Sequence, residues 1–497
     1  MSSSPERRGP AAPVAFLLAL LAAAPAVAGS LDPALRDFAG RRAALVQLEP
    51  APAAPARHPG EPLAQWRARL VGHWQAHAAD RQATLLADLD RLGVDHRGYW
   101  LVNAVRVEAT AAQLAALAAR AGVRAVHDDA PRRLAAPVED PVPRAPTAVE
   151  WGVDRIGAPQ LWALGVRGAG VTVGGQDTGV RWDHQALRAS YRGWDGAAAS
   201  HDHHWHDAIR AIIGTGSNPC GLDSPLPCDD NNHGTHTIGT ITGDDGGSNQ
   251  IGVAPDARWI ACRNMERGNG TPSTYIECFQ WFVAPTDLAG LDPRPDLAPD
   301  VVNNSWGCPP SEGCTTPAIL EQAVVNVRAA GIVVVVSAGN SGSACGTIVD
   351  PPATYDASFT VGSTTGSNAM SGFSSRGPVA AGTRTRPKPD VVAPGSSVRS
   401  ATRTSTTSYG TFSGTSMAGP HVAGAVALLI SGDPRLRGRV ARIEKLLRRS
   451  AVAVGHSQVC AGIAAAAVPN PVSGWGRIDV HGAWQLATDT LFFDEFE

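Results

Sequence analysis

The chain has 497 residues, of which 43% are hydrophobic and 18% charged, and its formal net charge at pH 7 is −3. This length allows a large core and more than one domain, and the near-balanced charge gives no electrostatic reason to expect nucleic acid or an anionic membrane as a partner. The 53 glycines and 38 prolines show no repeat period. They exclude collagen-like and solenoid chains and favour a loop-rich α/β enzyme.

The first 28 residues have the pattern of a secretory signal peptide. Arg7 and Arg8 form a basic start, residues 14–24 an apolar centre, and residues 26–28 the small-residue cleavage pattern Ala-Val-Ala. The apolar run is too short for a good membrane anchor, and no later stretch predicts a membrane span. We therefore expect cleavage near Ala28 and a secreted protein, extracellular or periplasmic. The paired arginines could indicate twin-arginine export, but the surrounding residues fit that signal poorly.

Residues 29–147 predict a small α+β domain that ends in a linker. The predicted order is β-α-β-α-β, with strands at 43–48, 98–107 and 123–127 and helices at 62–92 and 110–121. Residues 131–147 are rich in proline, which disfavours helices and central strands. Exposed linkers of this kind attract proteolysis, so we expect a maturation cut between Asp128 and Val149.

All eight cysteines follow the predicted signal peptide, which favours disulfides in an exported protein. Cys220 and Cys228 bracket one short loop, and Cys308 and Cys314 bracket another, so these are the preferred pairs. A zinc site made of four cysteines is the alternative, but no Cys-x-x-Cys spacing supports it. By elimination, the remaining pairs are Cys262–Cys278 and Cys345–Cys460.

From Trp151 onwards, predicted strands alternate with predicted helices. This alternation predicts a mostly parallel sheet covered on both faces, with ligands at the carboxyl ends of the strands. Asp177, Asn340 and residues 305–307 each follow a predicted strand, so we expect them at that edge. The predicted strands are 171–175, 258–262, 301–304 and 332–337, and the helices begin near His233, Thr274, Thr315 and Ser416.

Residues 413–421, Ser-Gly-Thr-Ser-Met-Ala-Gly-Pro-His, lead into an apolar helix rich in small residues. Pro420 fits the first turn of a helix, so Ser416 is expected at the helix N-terminus. Free backbone N–H groups and the helix dipole stabilise negative charge there, which suits a nucleophile in acyl transfer. The alternative is that Ser416 is an ordinary helix cap. The presence of other catalytic residues in the chain decides between these two interpretations.

Four short segments occur in one order along the chain: Asp-Thr-Gly at 177–179, His-Gly-Thr-His at 233–236, Ala-Gly-Asn at 338–340 and Gly-Thr-Ser-Met-Ala at 414–418. In this order they resemble the subtilisin family of serine proteases, over roughly two thirds of the chain. The resemblance implies a three-layer α/β fold with a mostly parallel central sheet, preceded by a small α+β propeptide domain.

The resemblance also divides the chain into functional parts. It implies a propeptide at 29–147 and a catalytic domain at 148–486; the remaining residues, 487–497, are acidic and aromatic and are expected to form either a disordered or an interaction tail. An ordinary accessory domain remains the alternative for the first part, because fold order does not fix function.

The resemblance assigns a catalytic role to four residues. Ser416 is the expected nucleophile, His233 its general base and later acid, and Asp177 the group that orients the imidazole. The Asn340 side-chain amide and the Ser416 N–H are expected to bind the oxyanion. A turn, a cap or a left-handed loop would explain any one of these residues. Together they fill every role, which favours catalysis.

By the same resemblance, Ser305, Trp306, Gly307, Ala338 and Gly339 are expected along the walls of the pocket for the residue before the scissile bond. Backbone there would pair with an extended substrate. Trp306 either narrows the pocket or packs in the core. The expected partners are protein or peptide substrates and the chain's own propeptide as inhibitor, and the expected state is a monomer.

We expect no cofactor for the chemistry and assign no metal ligands. Structural calcium is common in the family, but the sequence shows no clear set of oxygen ligands. His233 and His236 have His-x-x-His spacing without an evident third ligand, so His236 is interpreted as structural. Residues 201–207, His-Asp-His-His-Trp-His-Asp, could bind zinc, but a solvated insertion loop is the favoured interpretation.

The sequence thus predicts a secreted serine endopeptidase that is made as a zymogen. A lipase or esterase of the α/β-hydrolase type is disfavoured, because Ser416 does not lie in Gly-x-Ser-x-Gly and its partners have a different chain order. A binding protein on a decayed protease scaffold is disfavoured because Asp177, His233, Asn340 and Ser416 are all present.

Overall fold

The computed structural model describes residues 29–135, 137–140, 147–307, 318–381 and 384–489. The predicted signal peptide, the Cys308–Cys314 pair and the tail from residue 490 onwards lie outside these residues. No helix in the described ranges combines the length and the apolar character needed to cross a bilayer.

Residues 30–128 form a five-stranded sheet of order β1-β5-β2-β4-β3 with two helices. Its core includes Val46, Leu85, Val105 and Leu114. The elements are β1 (Ser30–Leu31), β2 (Arg42–Leu48), α1 (Leu63–Arg91), β3 (His96–Tyr99), β4 (Ala104–Ala109), α2 (Ala111–Ala118) and β5 (Val123–Asp128).

The single strand predicted at 98–107 is wrong, because the structure has a hairpin there. Strands β3 and β4 pair antiparallel, with Gly98 opposite Val105 and Tyr99 opposite Ala104. The turn contains neither glycine nor proline, and Asn103 takes the left-handed conformation, with φ of 46°. The alternation of apolar residues continues on both sides of this turn, so the sequence pattern does not reveal it.

The linker predicted at 131–147 contains, in its described part, two short edge strands that the sequence did not predict. Strand β6 (Arg132–Arg133) and strand β7 (Val138–Glu139) both pair with the second half of the chain. Pro131 and Pro137 precede these strands rather than interrupting them, so their missing N–H groups remove no ladder hydrogen bond.

The second half of the chain is built on a seven-stranded sheet of order β18-β15-β14-β13-β8-β10-β9, in which every pair is parallel. Its elements, which continue the numbering, are α3 (Trp151–Arg155), α4 (Ala158–Trp162), β8 (Thr172–Asp177), β9 (Trp205–Asp207), α5 (His233–Thr242), β10 (Arg258–Arg263), β11 (Met265–Glu266), β12 (Asn269–Gly270), α6 (Pro272–Val283), β13 (Val301–Asn304), α7 (Ala318–Ala329), β14 (Val333–Ser337), β15 (Phe359–Thr364), β16 (Val379–Ala381), β17 (Arg384–Arg386), β18 (Val391–Pro394), β19 (Val398–Ala401), β20 (Tyr409–Ser413), α8 (Thr415–Gly432), α9 (Val440–Arg449) and α10 (Val480–Thr488).

Strand β14 shows why the sequences of the central strands are continuous apolar runs. Val333 and Val335 belong to the core on the side of α5 and α8, whereas Val334 and Val336 belong to the core on the side of α6 and α7. Both faces of the sheet are therefore buried under helices. The predicted three-layer α/β fold is confirmed.

The predicted element starts agree closely with the observed ones, and caps explain the small shifts. Helix α6 begins at Pro272 rather than near Thr274, because the Thr271 side chain accepts a hydrogen bond from the Thr274 N–H. The described part of α7 begins at Ala318, so the start predicted near Thr315 lies outside the described residues.

Three of the four predicted disulfides lie within the described residues and are confirmed. They join Cys220 to Cys228, Cys262 to Cys278 and Cys345 to Cys460. No cysteine in the part of the chain that the structure describes is free. The longest loop closed is that of Cys345 and Cys460, which are 115 residues apart in sequence.

The interpretation of residues 201–207 as a solvated loop is wrong. Residues 205–207 form edge strand β9, and Trp205 is buried. Asp207 lies 3.0 Å from the buried guanidinium of Arg263, and His206 lies 2.9 Å from the Glu277 carboxylate. Asp207 and His206 therefore each bond to a different residue of the same chain. Within the described ranges, no group of three or more His, Cys, Asp and Glu side chains has an arrangement that would hold a metal ion.

Candidate active site

The first part of the site is a buried pair formed by Asp177, the last residue of β8, and His233, the first residue of α5. His233 Nδ1 lies 2.7 Å and 2.9 Å from the two carboxylate oxygens of Asp177. Nδ1 therefore carries the proton and donates it, which leaves Nε2 as an acceptor. This is the tautomer that a general base requires.

Two glycines allow the segments that carry this pair to approach closely. A Cβ at Gly179, whose φ is +102°, would lie 1.7 Å from the Cys228 carbonyl oxygen. A Cβ at Gly234 would lie 2.0 Å from the Gly179 carbonyl oxygen. Any larger residue would push the Asp177 and His233 segments apart, which explains the glycine in each motif.

Asp229 holds the same two segments together, and the sequence analysis missed it. Its Oδ1 accepts a hydrogen bond from Thr178 Oγ1 at 2.9 Å, and its Oδ2 accepts from the Thr235 N–H at 3.0 Å. Burial raises the pKa of the Asp229 carboxyl above its usual value, and the hydrogen bonds from Thr235 oppose that rise. The only sequence signal is a run of short polar residues before α5, which is equally typical of a loop.

Ser416 is the second residue of α8 and so lies at the helix N-terminus, as predicted, and this first turn of α8 meets the carboxyl edge of the sheet. Ser305, just after β13, donates its hydroxyl to the Ser416 carbonyl oxygen at 2.9 Å. Ser337, the last residue of β14, donates to the Thr415 carbonyl oxygen at 3.0 Å. Two serines at strand ends thus fix the first turn of α8. Helix α5, which begins with His233, packs against α8 and also contacts β8, which ends with Asp177.

The Asp177–His233 half of the site is formed, but the serine hydroxyl points elsewhere. Ser416 Oγ donates to the Ser305 carbonyl oxygen at 3.1 Å. His233 Nε2 is buried and has no hydrogen-bond partner in the described part of the chain. The described structure therefore has no hydrogen bond between Ser416 Oγ and His233 Nε2. Catalytic hydrogen bonds are often long or misaligned before a substrate is in place.

Asn340 is positioned by the residue that precedes the serine. Its Oδ1 accepts hydrogen bonds from both the N–H and the Oγ1 of Thr415, each at 2.9 Å. Thr415 Oγ1 in turn accepts from the Gly339 N–H at 3.2 Å. These contacts fix the amide plane and turn Nδ2 away from Thr415. No acceptor for Nδ2 is present among the described residues, so its N–H groups remain available.

A small cavity of about 50 Å³ adjoins Ser416. Four of the five predicted substrate-binding residues line it, whereas Ala338 is fully buried and does not. Trp306 is buried and its ring stacks on Tyr275 at 3.9 Å between centroids, which is the core-packing alternative. The lining residues are Arg133, Leu134, Ala135, Ser305, Trp306, Gly307, Ser337, Gly339, Asn340, Asp350, Thr415 and Ser416.

Asp350 is a second residue that the sequence analysis missed. A Cβ at Gly307 would lie 3.0 Å from the Asp350 Cβ, and a Cβ at Gly339 would lie 3.3 Å from Asp350 Oδ2. The two glycines therefore leave room for a carboxylate in the cavity wall. The sequence around Asp350 matches none of the four motifs, so its position becomes evident only in the folded chain.

The N-terminal part of the chain, residues 29–140, which we call the first domain, reaches this cleft with its own backbone. Strand β6 pairs antiparallel with β12, and the Leu134 N–H donates to the Gly268 carbonyl oxygen at 2.7 Å. Further along, β7 pairs antiparallel with β20, and the Asp140 N–H donates to the Thr411 carbonyl oxygen at 2.9 Å. Because β20 leads directly into α8, two paired segments of the first domain flank Ser416.

Comparison with known protein families agrees with this geometry. Residues 168–476 match the family model described as "Subtilase family", Peptidase_S8. The chain belongs to the subtilase family. This subtilase is accordingly a serine-type endopeptidase, and catalysis in the family requires no cofactor.

Curated relatives cover different shares of this subtilase. Bacillopeptidase F of Bacillus subtilis (strain 168) is 37% identical over 356 residues, which are 70% of this chain but only 23% of that protein. Subtilisin DY of Bacillus licheniformis is 33% identical over 311 residues, which are 62% of this chain and 93% of that protein. Subtilisin E of Bacillus subtilis (strain 168) is 32% identical over 312 residues, covering 62% of this chain and 68% of that protein.

His236 is a packing residue in this subtilase. Its Nε2 lies 3.0 Å from the Val398 carbonyl oxygen, and its ring stacks on Phe412 at 4.5 Å between centroids. Burial lowers the pKa of His236 to about 3, so the ring is neutral at physiological pH. It joins α5 to β19 and β20, in line with its predicted structural role.

Proposed function

We propose that this subtilase is a secreted endopeptidase with Asp177, His233 and Ser416 as its triad, made as a zymogen that cleaves itself. One observation carries the proposal: the chain's own segment 132–140 enters the cleft as two paired strands on either side of Ser416. An extended peptide that pairs with strand edges is how a protease holds its substrate. The first domain is therefore bound where a substrate would bind.

The chemistry follows from the two halves of the site. Ser416 Oγ turns from the Ser305 carbonyl to His233 Nε2, gives up its proton and attacks the scissile carbonyl. The imidazolium that forms is stabilised by the carboxylate of Asp177 and then protonates the leaving amine. Water then attacks the acyl group while His233 takes a proton from the water. His233 returns that proton to Ser416 Oγ, and the acyl group leaves as a carboxylic acid.

The tetrahedral oxyanion is stabilised by two donors. Asn340 Nδ2 is one, because its amide is fixed through Oδ1 by Thr415. The Ser416 N–H, in the first turn of α8, is the other. Both donors are in place before the reaction, so little reorganisation is required when charge develops.

The first domain is also anchored on the catalytic domain by side chains outside segment 132–140. The Arg67 side chain is buried and donates to the carbonyl oxygens of Ala330 at 2.9 Å, Ala298 at 3.0 Å and Pro299 at 3.1 Å. Asp129 accepts from the N–H of Ser273, near the start of α6, at 2.8 Å. These contacts explain how the segment is held in the cleft.

We place the maturation cut after Ala135. Leu134 is paired with Gly268, and Ala135 is the next residue to line the cavity beside Ser416. From residue 138 onwards the chain pairs with β20, on the other side of the serine. The predicted signal peptide and the three described disulfides support export to an oxidising compartment.

Active-site labelling tests the proposed enzyme. The purified secreted protein should react with a serine-directed fluorophosphonate at Ser416, located by mass spectrometry, and should digest casein. A labelled protein that hydrolyses an ester but not casein would favour an esterase. Absence of both labelling and digestion would favour a binding protein without activity.

The segment 29–135, added in trans, should inhibit the mature enzyme, and Arg67→Ala should weaken that inhibition. The substitution leaves three carbonyl groups without a charged donor, at a cost of about 2–4 kcal/mol. The inhibition constant should rise roughly 30- to 1,000-fold. Titration against a peptide amide measures it.

Arg69→Ala is the matched control for this experiment. Arg69 lies two residues further along α1, but it pairs with Glu61 of its own domain. Its replacement should leave inhibition nearly unchanged. Equal inhibition constants for the Arg67 and Arg69 variants would refute the proposed anchor, and no inhibition by any of them would refute the propeptide role.

A further inference from the structure

A second cavity, of about 660 Å³, lies between α7 and α9 and shares no lining residue with the cleft. Val325 and Ala329 of α7 and Ala441 of α9 give it an apolar lining. Val325 is 43% exposed, which is high for a valine in the middle of a helix. We call this cavity the α7–α9 groove. Its volume is sufficient for several side chains of a peptide.

The remaining side chains of the groove are basic. Arg328, Arg439, Arg442 and Lys445 all line it, and none of its lining residues is acidic. Arg328 forms an ion pair with Glu444 of α9. An occupant that matches this surface must combine apolar side chains with several negative charges.

Residues 490–497 of the chain have this combination. Their sequence is Thr-Leu-Phe-Phe-Asp-Glu-Phe-Glu, which contains four large apolar residues, three acidic residues and no basic residue. The described chain ends just before them, at Asp489, directly after α10. They make up most of the tail expected at 487–497, and from here on the name acidic aromatic tail refers to residues 490–497 alone.

Helix α10 directs the tail towards the groove. At the start of α10, the Asp479 carbonyl oxygen accepts from Ser450, which caps the end of α9, at 3.0 Å. Further along α10, Trp484 lies against Gly432, where a Cβ would be 2.4 Å from the indole ring. Gly432 precedes α9 in the chain. Helix α10 packs against α9, so it runs from the end of α9 back towards the start of α9, where the groove lies.

The tail is long enough to reach the groove. Eight extended residues span up to about 26–29 Å. The ten residues of α9 are about 15 Å long, and a helix with its side chains is about 10–12 Å across. A chain that leaves α10 beside the start of α9 can therefore cross it and still place several residues in the groove.

We propose that the acidic aromatic tail binds the α7–α9 groove of its own chain. Its phenylalanines pack on Val325, Ala329 and Ala441, and its acidic side chains lie opposite Arg439 and Lys445. Because the tail is tethered beside the groove, its effective concentration there is in the millimolar range, so a weak interaction suffices.

Hydrogen–deuterium exchange tests the proposal on the full chain, with Ser416→Ala to prevent self-digestion. Tail amides should exchange at least about tenfold more slowly than those of a synthetic peptide of sequence TLFFDEFE. Phe492→Ser/Phe493→Ser/Phe496→Ser should abolish this protection and speed exchange at 438–445. Tail exchange at the peptide's rate in the unaltered full chain would overturn the proposal, as would protection that appears only at high protein concentration with a dimer.

Charge reversal provides a second, independent readout. Arg439→Glu/Lys445→Glu should remove most of the tail's protection, and adding Asp494→Lys/Glu495→Lys should restore at least half of it. Arg449→Glu is the control, because Arg449 is exposed on α9 but does not line the groove. An equal loss in the control, or no recovery in the doubly reversed chain, would count against the proposed pairing.

Discussion

Ser416→Ala is expected to abolish peptide hydrolysis and to leave the chain uncut between its two domains. Removal of the hydroxyl removes the only nucleophile that the site positions, so kcat should fall by about 10⁶, as it does when a subtilisin loses its triad serine. The chain should still fold and be exported, because the Ser305 and Ser337 hydroxyls bond to backbone carbonyls of α8 and not to the Ser416 side chain.

The measurement combines casein digestion with the mass of the purified protein. The variant should keep residues 29–135 attached, whereas the original protein should lose them. Circular dichroism of both proteins controls for folding. If the mature form appeared in a pure preparation of the variant, with no other protease present, self-processing would be excluded.

Asn340→Ala is expected to lower kcat by about 10²–10³ with KM nearly unchanged. The Nδ2 donor meets a negative charge that exists mainly in the transition state, so its loss should hardly affect substrate binding. The magnitude is that found when one such donor is removed from a subtilisin. The Ser416 N–H remains, so activity should fall without vanishing. Steady-state kinetics on a peptide amide provide both constants.

Thr415→Val is the companion variant. It removes the Thr415 hydroxyl that bonds to Asn340 Oδ1, but it keeps the bond from the Thr415 N–H. The amide is then held by one bond instead of two, so kcat should fall less than in Asn340→Ala. If Asn340→Ala kept the kcat of the original enzyme but showed a large rise in KM, Asn340 would be a substrate-binding residue.

Much of the site could be predicted from the sequence because local patterns determine it. An apolar run that ends in a polar residue placed Asp177 and Asn340 at the carboxyl edge of the sheet, where parallel strands bring them together. Pro420 placed Ser416 at a helix start. In each case a few neighbouring residues determine the local backbone conformation. The parallel pairing of the strands then brings these residues to one edge of the sheet.

The residues that were missed depend on partners distant in sequence. Asp229 acts through Thr178, 51 residues earlier, and Asp350 enters the pocket only because Gly307 and Gly339 leave space for it. The pairing of 132–133 with β12 was missed for the same reason, whereas the turn at Asn103 was missed because the apolar alternation continues on both sides of it. No local signal distinguishes a proline-rich linker from a strand that pairs with another domain.

The two strand edges that hold segment 132–140 have a consequence for the mature enzyme. Once that segment leaves, β12 and β20 present unpaired backbone groups on both sides of Ser416. A polypeptide can satisfy both edges only when a stretch of it is fully extended, and helices or sheets of a folded protein do not offer such a stretch. Digestion of a native protein should then proceed at the rate set by its local unfolding, so the enzyme would discriminate among its targets by their conformational stability as well as by their sequence.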